Sequence, residues 1–174
     1  MHDENNPRSL PYDKVLSIFE DSHRQIWLTT QGGGFCKFHP ETETFTSYDS
    51  RNGLPNDVVY QIVEDKEGLM WLTTNNGLVS FQPATGAMKV YTTANGLLGE
   101  QFNYRSSFET EDGTIYLGSI DGFVAFNPKN FSENKSLPSI VITDFLLFGK
   151  EVYPGDPSSP LKKSINFLDE LVLQ

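Results

Sequence analysis

The sequence holds a single cysteine, Cys36, so no intrachain disulfide can form. It has three histidines, one of them His2 beside the N-terminus, which leaves little material for a His-based site. No stretch approaches the roughly 18 consecutive apolar residues that mark a membrane-spanning helix. Positive charge is scarce: 13 Lys and Arg stand against 23 Asp and Glu, for a net charge of −10, and no basic cluster occurs. Such a chain repels phosphate backbones, which argues against nucleic-acid binding by this segment. The opening residues, Met1 to Pro7, are acidic and polar, unlike a secretory signal. They begin within a repeat, so the expectation is a piece of a longer protein whose location the opening does not report. Helical periodicity is also missing: nowhere between the turns do apolar residues recur at i, i+3, i+4 and i+7 over ten or so positions.

What is present is a hairpin written three times. Its clearest copy runs from Val58 to Thr74. Two short strand-prone runs there flank the polar turn Asp65-Lys66-Glu67-Gly68, the pattern of a β-hairpin. The other copies span Val15 to Thr30 and Tyr104 to Ser119. The aromatic anchor moves from Trp27 to Trp71, 44 residues on, and then to Tyr116, 45 further. Each copy continues into a third apolar run: Gly34 to Pro40, Gly77 to Pro83, and Gly122 to Pro128. A fourth run follows twice, Thr44 to Asp49 and Met88 to Thr92, each leading to an Asn-Gly-Leu turn at Asn52 and Asn95.

A repeat of about 44 residues carrying four short strands is the signature of a β-propeller blade. The expected fold is therefore all-β: about three blades of four-stranded antiparallel sheet, the third with only three strands. A lead-in segment covers 1–12. Blades are expected at 13–50, 57–93 and 104–128, giving a propeller region of 13–128. A polar linker follows at 129–138. From Ser139 the character changes to a long β-prone run, and 139–174 is expected to begin a second all-β domain.

The motif Glu64-Asp65-x-x-Gly68-x-x-Trp71-Leu72-x-Thr74, then Asn76-Gly77-Leu78-x-x-Phe81 and Asn95-Gly96-Leu97, resembles two-component regulator propeller repeats. The run Pro138 to Val152, followed by Pro160 to Ile165, resembles the opening of the immunoglobulin-like domain named for its three tyrosines. The two in that order resemble the sensor region of hybrid two-component proteins of gut anaerobes. The third blade departs from the pattern, since Tyr116-Leu117-Gly118-Ser119 replaces the Trp motif. The resemblance implies a periplasmic sensor of two propellers and an immunoglobulin-like stalk, joined through a membrane helix to a histidine kinase, a receiver and a DNA-binding domain. It also implies oligosaccharides as the stimulus and genes for polysaccharide use as the output.

Catalytic residues are not assigned, nor is any cofactor or metal. No phosphate loop, metal-ligand spacing or Ser/His/Asp order is evident. The repeated acids Glu20-Asp21 and Glu64-Asp65 share a repeat register and so spread around a ring. A glycosidase pair must instead face one cleft. They read as turn residues. Trp27, Trp71 and Tyr116 recur once per blade and read as core between blades. Cys36 occupies the register of Val79 and Val124 and reads as a small buried residue. His23 and Arg24 fall in a hairpin turn, in solvent.

A ligand site should break the repeat, and the non-repeating polar residues of the loops at one face are Gln31, Arg51, Asn75, Asn76, Arg105 and Asp121. Their side chains suit sugar hydroxyls or a sugar carboxylate. Plain solvent-exposed loop residues is the simpler reading. Two other functions stay open: a propeller glycosidase or lyase, and a protein-interaction module. Three blades leave two blade faces uncovered, so self-association is expected, with two chains sharing a ring of about six blades.

Overall fold

The protein is described by a computed structural model that covers residues 1–130, 144, 146–147, 149–154 and 161. It divides into two units, Met1–Ser132 and Glu133–Gln174. The first unit is three antiparallel sheets. Blade one is β1 (Val15–Glu20), β2 (Ile26–Thr30), β3 (Phe35–His39) and β4 (Thr44–Tyr48). Blade two is β5 (Val59–Glu64), β6 (Met70–Thr74), β7 (Leu78–Gln82) and β8 (Ala87–Tyr91). Blade three is β9 (Phe102–Glu109), β10 (Ile115–Ser119) and β11 (Gly122–Phe126). Each sheet pairs in sequence order. The first strands β1, β5 and β9 lie nearest one another and so form the inner ends of the blades. In the second unit the described residues include a small hairpin, β12 (Leu146–Leu147) with β13 (Lys150–Glu151). The expected immunoglobulin-like domain over 139–174 falls mostly outside the described residues.

One carboxylate organises each of the first two hairpins. Asp21 Oδ1 accepts from the backbone N–H groups of His23 and Gln25, and its Oδ2 accepts from Trp27 Nε1 at 2.9 Å. Asp65 repeats this with Glu67, Leu69 and Trp71 Nε1, again at 2.9 Å. An Asp that mimics the backbone turn also satisfies the indole donor that burial would otherwise orphan. The third blade replaces both partners together. Thr110 stands for the Asp, its Oγ1 accepting from Thr114 N–H, and Tyr116 stands for the Trp.

Blades join by a knob and a socket. On blade one, Trp27, Phe35 and Tyr48 form an aromatic socket, with Trp27 and Phe35 centroids 6.0 Å apart at 33°. Phe81 of blade two enters it edge-on, 5.6 Å from Trp27 and 5.0 Å from Phe35. Phe126 of blade three meets Trp71 in the same way at 4.7 Å and 62°. Edge-to-face packing at these distances is favoured by the ring quadrupoles. Trp27 and Trp71 are 1% exposed, as core residues should be. Tyr116 departs from that expectation. It is 38% exposed, because no blade covers the outer face of blade three among the described residues.

The first strands carry a register shift. In β1, Leu16 is the extra residue between the Val15–Thr30 and Ser17–Thr29 pairs. In β5 the extra residue is Tyr60. In β9 the shift is larger: 103–106 stand opposite Gly118 alone, where blade two sets Tyr60 and Gln61 opposite Thr73. Two residues have been inserted into the inner strand of blade three. This is why β9 starts at Phe102, two residues before the expected blade boundary at 104.

Candidate functional site

The blades have two ends. At one lie the Asp21, Asp65 and Thr110 turns. At the other lie the β2–β3 turns and the segments linking one blade to the next. This second end is braced between blades. Gly34 N–H donates to Asp57 O at 2.8 Å, and Gly77 N–H donates to Glu100 O at 2.6 Å. Gly34 has φ +71°, and a Cβ there would fall 2.0 Å from Tyr48 O, so only glycine fits. The linking turns are capped alike. The side chains of Asn52 and Asn95 accept from the N–H groups of Asp49 and Thr92 at 3.0 Å, and Asp57 and Glu100 hold the amides of Ser50 and Thr93.

Two of the sequence-nominated residues, Gln31 and Asn75, meet at this end, and Asp121 lies in the corresponding turn of blade three. Gln31 bridges to Val58, and Asn75 N–H donates to Val58 O at 3.2 Å, so both converge on the strand that begins blade two. Asn75 Oδ1 also accepts from Tyr60 Oη at 2.9 Å. Asp121 lies beside Gly99, where a Cβ would sit 2.1 Å from its Oδ2. The adjacent Ile120 N–H donates to Gln101 O.

The other three behave differently. Asn76 is exposed, and its backbone N–H donates to Thr74 Oγ1 within the turn. Arg51 is tied to its own turn: its Nε donates to both Asp49 oxygens at 3.0 Å. The guanidinium holds the Asp49 carboxyl below the usual carboxylate range. Arg105 is not a loop residue. It lies within β9, in the inserted stretch, with φ +50°. Among the described residues it makes no ion pair.

Sequence reasoning missed the residues that surround Arg105. Tyr104 is 54% exposed and meets Tyr60 edge-on, with centroids 4.6 Å apart at 67°. Burial raises the Tyr60 phenol above its ordinary value, and a side-chain hydrogen bond with Gln101 opposes this. Asn103 Nδ2 donates to Ser119 O at 2.8 Å and pins the insertion to the next strand. Gly118 makes room for it, since a Cβ there would fall 2.7 Å from Ser106 Cβ. A threonine fits the matching place in the other blades, at Thr29 and Thr73. The signal was available in the spacing: Val59 to Phe102 is shorter by two residues than Ile62 to Ser107.

The remaining nominated chemistry is structural. Asp21 and Asp65 are buried and fully engaged by their turns and indoles. Cys36 is buried, and desolvation pushes its thiol up to about 12, which makes it inert near neutral pH. No group of three or more metal-ligating side chains occurs among the described residues. No helix among them is long and apolar enough to cross a membrane.

Residues 53–76 match the family described as two component regulator propeller. Histidine kinase P4 of Formosa agariphila is 34% identical over 154 residues, which is 88% of this chain and 11% of the kinase. Among solved structures, the extracellular domain assigned to a one component system of B. thetaiotaomicron superposes with a TM-score of 0.57 at 25% identity, over 66% of this chain and 17% of that one. The extracellular domain assigned to a hybrid two component system of the same bacterium gives 0.50 at 22% identity, over 89% and 28%. The chain thus spans about a tenth of that kinase and less than a third of either of these extracellular domains. Its residues 53–76 match the two component regulator propeller model, most of its length is similar to a histidine kinase, and its fold is that of the extracellular domains assigned to a one component and a hybrid two component system.

Proposed function

We propose that this chain is part of the periplasmic sensor region of a hybrid two-component histidine kinase, with oligosaccharides as its stimulus and polysaccharide-utilisation genes as its output. The observation that carries the proposal is the 34% identity to a histidine kinase over 88% of the chain, in a segment whose structure is propeller blades. The convergence of Gln31 and Asn75 on Val58 at one end of the blades supports a polar ligand there. Asp21 and Asp65 are each committed to three hydrogen bonds, which argues against their use as catalytic acids. Signalling would follow from ligand affinity that differs between two arrangements of the sensor.

The test is thermal unfolding of the whole extracellular region against a panel of oligosaccharides. A ligand at about 100 times its Kd adds about 2.7 kcal/mol, a shift of several degrees. One glycan class should give that shift. A flat response across neutral and acidic glycans would end the oligosaccharide reading. Breakdown of any glycan during the assay would instead favour an enzyme.

A further inference from the structure

Resting on the oligosaccharide reading, we infer that the inserted stretch Asn103–Arg105 is the ligand contact of this segment and that it takes a sugar bearing a carboxylate. The other two inner strands have one extra residue at this point, Leu16 or Tyr60, and blade three has three. The insertion forced a second change, the glycine at 118, yet it is pinned by Asn103 rather than left loose. A β-bulge bends its strand and can re-aim a side chain. This one presents Tyr104 to Tyr60, whose hydroxyl is already held by Asn75, and leaves the adjacent Arg105 exposed. The left-handed φ of Arg105 is unusual for a non-glycine residue, and such outliers concentrate at binding sites.

The chemistry then follows from the residue types. Tyr104 offers an exposed aromatic edge for a sugar ring, and the amides of Asn75 and Gln101 suit hydroxyls. Arg105 is a cation without an ion-pair partner among the described residues, in a chain of net charge −10. A guanidinium fork binds carboxylate bidentately.

The experiment is calorimetric titration of the 174-residue chain with tetragalacturonate and with its fully methyl-esterified, uncharged form. Arg105→Asn is the chosen variant, because asparagine accepts the left-handed conformation and the fold is spared. The expected result is measurable binding of the acid alone, weakened tenfold or more in Arg105→Asn and in Tyr104→Ala, with the melting temperature unchanged in Arg105→Asn. Equal binding of the ester would overturn the carboxylate claim and leave the oligosaccharide reading standing. Acid binding untouched by Arg105→Asn would overturn the site. Absence of binding to this chain, when the whole extracellular region does respond to a glycan, would also overturn it.

A different observation carries a second inference: the open socket of blade three receives the knob of blade one from a second copy of this chain. Tyr116 and Phe123 stand in the registers of Trp27 and Phe35. Their rings lie 6.2 Å apart at 35°, against 6.0 Å and 33° in the filled socket. With Phe108 they line an open depression of about 420 Å³, and Phe108 and Phe123 are 65% and 62% exposed. Blade one presents the complementary face. Phe38 holds the register of the knobs Phe81 and Phe126, and Ile18 is 69% exposed where its counterpart Ile62 is buried at 6%. Two copies joined head to tail at both junctions would close a ring of about six blades, within the range propellers adopt.

Sedimentation of the chain over a concentration series should show a species of twice 19.6 kDa. Phe123→Asp and Ile18→Asp, on opposite faces, should each abolish it. Both positions are exposed, so neither variant should unfold the monomer. A monomer at all concentrations would overturn the inference and leave the socket to another blade of a longer polypeptide. Loss of the dimer with Phe123→Asp but not Ile18→Asp would also overturn it, since the contact would then join two identical faces.

Discussion

Replacing Asp65 with alanine removes the acceptor for three donors at once: the N–H groups of Glu67 and Leu69, and the Trp71 indole. The two amides lie in a turn where water can reach them, so their loss resembles that of a helix cap, about 1 kcal/mol. The indole cannot recover in that way. Trp71 is 1% exposed, and an orphaned buried donor costs about 1–3 kcal/mol. The sum is about 3 kcal/mol. Urea unfolding followed by tryptophan fluorescence reads it directly, with Trp27 and Trp71 as reporters. Thr110→Ala is the internal control. It occupies the same turn of blade three but serves no indole, and should cost about 1 kcal/mol. The double variant Asp65→Ala with Trp71→Phe should show coupling of about 1 kcal/mol or more. If Asp65→Ala cost no more than Thr110→Ala, the carboxylate–indole bond would not be the organising contact of the blade.

Ile62→Ala should cost about 2–4 kcal/mol in denaturant titration, whereas Ile18→Ala in the same register should be nearly silent in the monomer, because only Ile62 has a blade against it. Gly34→Ala should cost more than Gly122→Ala by denaturant titration: both have positive φ, but only Gly34 faces a carbonyl where the Cβ would go. Stability should fall as the pH drops below about 4, because Asp49, Glu100 and Asp112 are all held below their ordinary values. A depressed folded-state carboxyl stabilises above its unfolded value and loses that effect as acid protonates it, so Asp49→Asn should flatten the acid limb of an unfolding-versus-pH curve. Cys36 should react with a thiol reagent at pH 8 only at the rate of unfolding, measured by quenched labelling in increasing urea.

The blades are legible because the first two obey the same local chemistry and the third keeps their register. In the first two blades the Asp of the hairpin turn, the Trp six residues past it, and the glycine under the fourth strand recur with fixed spacing, and each has a hydrogen bond or a close approach that requires it. By analogy with Trp27 and Trp71, the sequence points to Tyr116 as core. It holds their register, but its burial depends on a neighbouring blade, which the repeat alone does not supply. The sequence marks Arg105 as a candidate but points to a loop, whereas it lies within β9. An insertion inside a strand leaves both flanks in register, so apolar pattern does not reveal it. Only the mismatch between the spacings of Val59 to Phe102 and Ile62 to Ser107 does. The Tyr60–Tyr104 contact pairs residues of two inner strands, and no short-range signal in the chain announces it.

The most direct test of the account is a ¹H–¹⁵N NMR titration of the 174-residue chain with tetragalacturonate. The account predicts that the largest shifts fall on Tyr60, Asn75, Gln101 and residues 103–105, at the inner end of blades two and three. Shifts centred on the opposite end, at the turns of Asp21, Asp65 and Asp112, would contradict it.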